Sequence, residues 1–352
     1  MRAGDIWWGQ IGNCLRALSD VAACIRDSRS VVLELPENLP WRQTFRDNAA
    51  IRRSALGGNR GLRMLSWHDG REPGEFILRE LCSREERALY YPGDSCAAYL
   101  GQREDLEMNE QDIWITGIHR REDMLKWYAF LAEYERVSEP LADRAVFVLE
   151  YDGPTVPNPG VAQITFSVED YDCRVFCLES GATLKNTDLR EYQAELALRI
   201  SGTDPELSWA LLRTGEQLIR DPVRTAMEVI AGGRSSEGKQ FPVMSEKQIL
   251  SNARRAALVI FFPVLEQWRV DCVQRHENEL EHWLPITNDH GDEITDPYDL
   301  EFKDLAIFCK KPGNGFTQEE KTKVAFCRET RNKLAHNNKV LPPEDARQIL
   351  KL

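Results

Sequence analysis

From Trp7 to Arg26 the apolar residues Ile11, Leu15, Leu18, Ala22 and Ile25 recur at steps of three and four, which predicts an amphipathic helix. The next apolar stretch differs in kind. Ser30-Val31-Val32-Leu33-Glu34-Leu35 is short, β-branched and closed by Pro36 and Pro40, so it predicts a strand, and Trp41 to Leu56 returns to helical spacing. The alternation then repeats. Leu62–Trp67 reads as a strand before a helix over Glu75–Glu86, Ile113–Ile118 as a strand before a helix over Glu122–Val137, and Ala145–Leu149 as a further strand. Beyond a Pro- and Gly-rich loop at 154–160, Gln163–Phe166 and Cys173–Leu178 read as two more strands. From Asp188 to Ile230 the period is helical, with breaks at Gly202–Pro205 and Asp221–Pro222. Gly232–Pro242, rich in Gly and Ser, reads as a linker, and the remainder is helical, including a helix from near Thr317 and a short closing helix over Pro343–Leu350.

Strands alternating with helices predict an α/β fold with a mostly parallel sheet, followed by an all-α helical bundle. The expected organisation is an α/β domain over 1–180, Rossmann-like or similar to a degenerate P-loop domain, a helical extension over 181–231, a linker over 232–243 and a helical domain over 244–352. Nucleotide-binding domains of this class place a glycine-rich loop after the first strand, because only glycine lets backbone N–H groups close on phosphates. Here the position reads Pro36-Glu37-Asn38-Leu39-Pro40, with two residues that lack an N–H and no lysine. No working P-loop is expected there. Gly233-Arg234-Ser235-Ser236-Glu237-Gly238-Lys239-Gln240 matches G-x-x-x-x-G-K, but has Gln in place of the magnesium-binding hydroxyl and follows a helical segment instead of a strand.

Composition narrows the class. A chain of 352 residues, 42% hydrophobic and 29% charged, can bury a real core, so a disordered or disulfide-dependent protein is excluded. A net charge of −12 excludes a uniformly basic nucleic-acid coat but not a local patch. Nine scattered cysteines, an odd number, suit reduced thiols. The start, Met1-Arg2-Ala3-Gly4-Asp5-Ile6-Trp7-Trp8, carries no secretory pattern. The longest apolar run, Ala256–Leu265, is ten residues containing Pro263, short of the roughly 20 that span a bilayer. It reads as buried helix, and the expectation is a cytoplasmic protein without membrane contact.

Cys173 and Cys177 with His276 and His282 could be grouped around zinc, but the cysteines are spaced by three residues in a strand-like run without a matching pair, so no metal site is expected. His119-Arg120-Arg121 follows the third strand, where sheets of this class expose functional groups, and is a secondary candidate for binding a phosphate or a partner's carboxylate. A solvated loop fits the same residues. The richest stretch is Glu329-Thr330-Arg331-Asn332-Lys333-Leu334-Ala335-His336-Asn337-Asn338, which sets R-N-x-x-x-H at the end of a helix. At 100° per residue, Asn332 and His336 share a face whereas Arg331 lies about 140° from His336. Either the helix ends at His336, as Asn337-Asn338 suggest, or Arg331 curls its side chain round.

This stretch resembles the HEPN family (higher eukaryote and prokaryote nucleotide-binding domains), whose signature is R-x4-6-H with a polar residue often after the arginine. The resemblance covers 244–352. It implies a metal-independent endoribonuclease, active as a homodimer that joins two motifs across one cleft, without a cofactor. It implies catalytic roles for His336 in proton transfer, Arg331 as phosphate clamp and Asn332 as the orienting group, and products with a 2′,3′-cyclic phosphate and a 5′-hydroxyl. Lys333, Arg328 and Lys339 are the expected RNA-binding residues. The fusion to an α/β domain suggests an effector of a bacterial toxin or antiviral defence system, its α/β part sensing a trigger or docking a protein partner. The alternative is a non-catalytic adaptor in a multi-protein defence or nucleic-acid-processing complex. Charge supports an RNA surface: residues 310–352 carry ten Lys and Arg against five acids, while 276–304 carry ten acids and one Lys. The two segments could equally neutralise each other.

Overall fold

The alternation of strands and helices folds into one parallel sheet because each strand must be reached by a crossover from the previous one. In the computed structural model the described residues are 2–55, 60–68, 70–138, 143–156, 160–184, 188–287, 291–336 and 340–352, with the side chain of His336 also outside them. The chain divides into two compact units, 1–172 and 173–352.

The first unit opens with α1 (Ala3–Gln10) and α2 (Gly12–Arg26) where one helix was predicted. Ile11 interrupts them in an extended conformation, and α1 then buries Ile6, Trp7 and Trp8 completely. β1 (Val31–Glu34) leads into α3 (Arg42–Ala55), then β2 (Gly61–Ser66). The helix predicted over 75–86 is two, α4 (Pro73–Leu81) and α5 (Arg84–Ala88). Ser83 restarts it: its hydroxyl accepts the Glu86 N–H while the Glu86 carboxylate accepts the Ser83 N–H. Next come α6 (Cys96–Gln102), β3 (Gln111–Ile118), α7 (Arg121–Ser138), β4 (Val146–Tyr151) and β5 (Ala162–Thr165).

The five strands lie in the order β2-β3-β4-β1-β5, and every neighbouring pair is parallel. β1 and β4 are buried nearly throughout, as strands covered on both faces must be, whereas the edge strand β2 is mostly exposed. β1 and β4 adjoin, and their outgoing connections leave toward opposite edges of the sheet, the arrangement that opens a crevice at the strands' C-terminal ends.

Cys173–Leu178, read as a strand, is part of α8 (Asp170–Leu184). The burial of Cys173, Phe176, Cys177 and Ser180 follows a helical period that the β-branched and aromatic run concealed. α9 (Arg190–Ser201), α10 (Pro205–Leu212), α11 (Glu216–Arg220) and α12 (Pro222–Gly232) follow, broken at Gly202 and Asp221 as expected and also at Gly215, whose φ is +63°. The long α13 (Glu246–Arg275) starts at Ser245, which exchanges hydrogen bonds with Gln248. Its apolar run buries Ala256, Ala257, Phe261 and Leu265 but exposes Val259 and Phe262, so the run is one-sided instead of fully buried. Tyr192 of α9 packs its ring on Phe261 of α13 at 4.7 Å. The unit boundary therefore falls at Asp172, ahead of the 232–243 segment, because the helices on either side of that segment share one core. α14 (Glu277–Glu281), the two-residue strands β6 (Ile286–Thr287) and β7 (Glu293–Ile294), α15 (Phe302–Phe308), α16 (Gln318–His336) and α17 (Pro343–Ile349) complete a unit that is helical apart from that short ladder among the described residues.

Candidate functional site

α16 begins where Thr317 and Glu320 exchange caps, the Thr317 hydroxyl accepting the Glu320 N–H at 3.2 Å and the carboxylate accepting the Thr317 N–H at 3.0 Å. Burial holds the Glu320 carboxyl up, yet the Thr317 N–H, with His276, brings it below its ordinary value. Val324, Cys327, Thr330 and Leu334 form the inward stripe of the helix, and Ala325, Arg328, Asn332 and Ala335 the outward one. The helix runs through His336 and stops being described there, so residues 331 and 336 stand about 140° apart on the helix axis.

The predicted residues sit in unlike surroundings. Arg331 is a third exposed, with its Nη2 3.8 Å from Glu301 Oε1 at the start of α15, a loose surface pair of small energetic worth. Asn332 and Arg328 are exposed. Lys333 is held more firmly, its Nζ 3.0 Å from Glu329 and 3.2 Å from Asp345 of α17, and these two carboxylates raise its pKa. Lys339 and the side chain of His336 lie outside the described residues. Arg254 of α13 places Nη2 3.5 Å from the Ala335 carbonyl, so a cation stands at the negative end of the helix dipole. Pairing between acidic and basic segments is real but partial: Arg331 meets Glu301, while Lys333 turns to α17.

The other candidate region is the C-terminal edge of the sheet. At the turn after β1, the Arg42 guanidinium lies against the backbone, its Nη2 donating to the Pro36 and Glu37 carbonyls at 3.1 and 3.2 Å. Arg42 Nη1 also meets Glu150 Oε2 at 3.3 Å, Arg46 grips the same carboxylate twice at 2.6 Å, and Trp114 Nε1 donates to it at 2.7 Å. A turn whose carbonyls face a guanidinium presents oxygen, not N–H, to the crevice, which is the reverse of a phosphate cradle. His119 is exposed, with Nδ1 on the largely covered carboxylate of Asp152, and Asp152 also meets Arg42 at 3.4 Å. Gly153 permits this fit: a Cβ there would stand 2.1 Å from the His119 carbonyl. Arg120 bonds Asp123 at 3.1 Å, and Arg121 opens α7.

The G-x-x-x-x-G-K match folds as a tight turn closed by the Arg234–Gln240 bridge, and Ser236 donates N–H and hydroxyl to Glu206 at 2.5 and 2.6 Å. It has neither the preceding strand nor the following helix of a P-loop. His276 stacks on Phe316 at 3.9 Å and meets Glu320 at 3.2 Å, and among the described residues no group of three His, Cys, Asp or Glu could hold a metal ion. No described helix is long and apolar enough to cross a membrane.

Three features escaped the sequence reading: the Arg42–Arg46–Glu150 cluster, the Asp152 partner of His119, and Arg254 beside the motif. Glu150 offered a signal, since an acid inside Val146-Phe147-Val148-Leu149-Glu150-Tyr151 is buried and needs cations from elsewhere in the chain. Comparison with protein-family models, curated proteins and solved structures finds no match to the chain.

Proposed function

We propose that the chain is a metal-independent endoribonuclease acting through the last two turns of α16, the effector of a bacterial toxin or antiviral defence system, with its α/β unit sensing a trigger or docking a partner. The observation that carries this reading is the looseness of the motif. Arg328 and Asn332 face outward and Arg331 is tied only weakly, whereas buried Arg42 and mostly covered Arg46 are fixed on Glu150. In this reading His336 accepts the RNA 2′-hydroxyl proton, Arg331 clamps the phosphate as charge builds, and Asn332 orients the imidazole. Because 331 and 336 stand apart on one helix, a second copy of the chain would supply the complementary half of the cleft. Arg328, Lys333 and Lys339 would hold the flanking phosphates.

The test is incubation of purified protein with mixed labelled RNAs in chelator, alongside Arg331→Ala, Asn332→Ala and His336→Ala. Cleavage to cyclic-phosphate ends is expected, falling by about 100-fold or more in the Arg331 and His336 variants. Cleavage that persists in both variants would overturn the assignment. A second reading, a non-catalytic adaptor, is favoured by the turn after β1, whose carbonyls are taken up by Arg42; RNA left intact by the wild-type protein, with a stable complex formed through the α/β unit, would replace the first reading by this one.

A further inference from the structure

Beside the motif, within the helical unit, lies a pocket of about 230 Å³ lined by Ala253, Arg254 and Ala257 of α13, Lys333 and Leu334 of α16, and Val340, Leu341 and Pro342 before α17. Its chemistry is sharply divided. Among the described residues that line it, six side chains are aliphatic and the two polar ones are both cations. An occupant that needs its edges hydrogen-bonded, such as a nucleobase, would lose those bonds to water here without replacement. An occupant with a hydrocarbon body and one anionic end would have its chain covered and its lost hydration offset by the two cations.

Size sets the length of that body. A cavity of about 150 Å³ lined by aliphatic and aromatic side chains holds a six-carbon ring. The volume here therefore suits a body of roughly nine or ten carbons. At the polar end, an ammonium has three donors, and Lys333 spends two of them on Glu329 and Asp345. A ligand carboxylate can take the third, with the Arg254 guanidinium lining the same space.

We propose that this pocket binds a medium-chain carboxylate, its chain against Ala253, Ala257, Leu334 and Leu341 and its carboxylate between Arg254 and Lys333. The site goes beyond the ribonuclease reading and does not depend on it. It also bears on the motif: Arg254 reaches the Ala335 carbonyl, so a carboxylate drawing on Arg254 acts on the same residue that stands at the end of α16.

The experiment is calorimetric titration of the full chain with octanoate, decanoate and dodecanoate below their micellar concentrations, with decanol, decylamine and adenosine monophosphate as comparisons. One saturable site is expected for the carboxylates, strongest near decanoate and raising the melting temperature as a ligand of the native state must. Arg254→Gln should weaken decanoate by about ten-fold while leaving decanol within about two-fold. Ala257→Leu, which fills the pocket, should abolish binding; where that variant fails to fold, the Arg254→Gln arm decides. Decylamine binding as well as decanoate, adenosine monophosphate binding more tightly, or an unchanged decanoate affinity in Arg254→Gln would each overturn the proposal. RNA cleavage is read on the same preparations, so loss of the ribonuclease reading and loss of this one are separate results.

Discussion

The two candidate regions hold their charges in opposite ways. At the sheet's C-terminal edge, Glu150 is 2% exposed and receives donors from Arg42, Arg46 and Trp114, so its carboxylate is fully engaged within the protein. Along α16, Arg328 and Asn332 face solvent and Arg331 has a 3.8 Å pair with an exposed glutamate. A buried ion cluster cannot be opened cheaply, because each charge would be left without water or a counterion. A surface pair exchanges readily. The contrast teaches that an arginine near a functional place signifies little until its partners are known.

The sharpest break of this comparison is Glu150→Ala, which removes the buried carboxylate that Arg42, Arg46 and the Trp114 indole N–H share. Urea denaturation should show a loss of about 3–5 kcal/mol, and a loss under about 1 kcal/mol would mean the cluster is not structural. A smaller effect belongs to Glu86, buried at the start of α5. Burial works against its charge, but the N–H groups of Glu107 and Ser83 hold its pKa below the ordinary value. A lowered folded pKa adds stability that is present above the unfolded pKa of about 4.3 and lost as pH falls through the folded one. Glu86→Gln should cost about 1–2 kcal/mol at pH 7 and flatten the fall in stability between about pH 5 and 3, measured by thermal melts across that range. Smallest is Arg331→Ala, expected to change stability by no more than about 0.5 kcal/mol even where it abolishes cleavage. A large loss of stability there would move Arg331 into the structural class.

Fold class was readable because strand and helix periods differ so plainly in the first half; five strands of the sheet and α16 and α17 fall where the pattern places them. The failures have local causes. Cys173–Leu178 carries strand-like residues in a helix, and its period emerges only when Ser180 is included. The interruptions at Ile11 and Ser83 depend on what α1 and α5 pack against, which no local window contains. Of the candidate site, the motif on α16 could be read from spacing, but Glu301 and Arg254 lie 30 and 81 positions before the residues they meet and Asp345 lies 12 beyond, and only the fold joins them. His119 was marked by its place after a strand, while Asp152, which orients it, sits on the far side of α7 and β4.

The position of β1 has a consequence during synthesis. Val31 pairs with Val148 on one side and Ala162 on the other, so this interior strand emerges from the ribosome long before either neighbour exists. At about 5–20 residues per second, roughly 10 s pass in which Val31, Val32 and Leu33 present two open, apolar edges. Such an edge is a template for pairing with a neighbouring nascent chain. The first unit can close its sheet only when translation has passed β5, so these apolar edges stay open for most of the time the unit takes to be made.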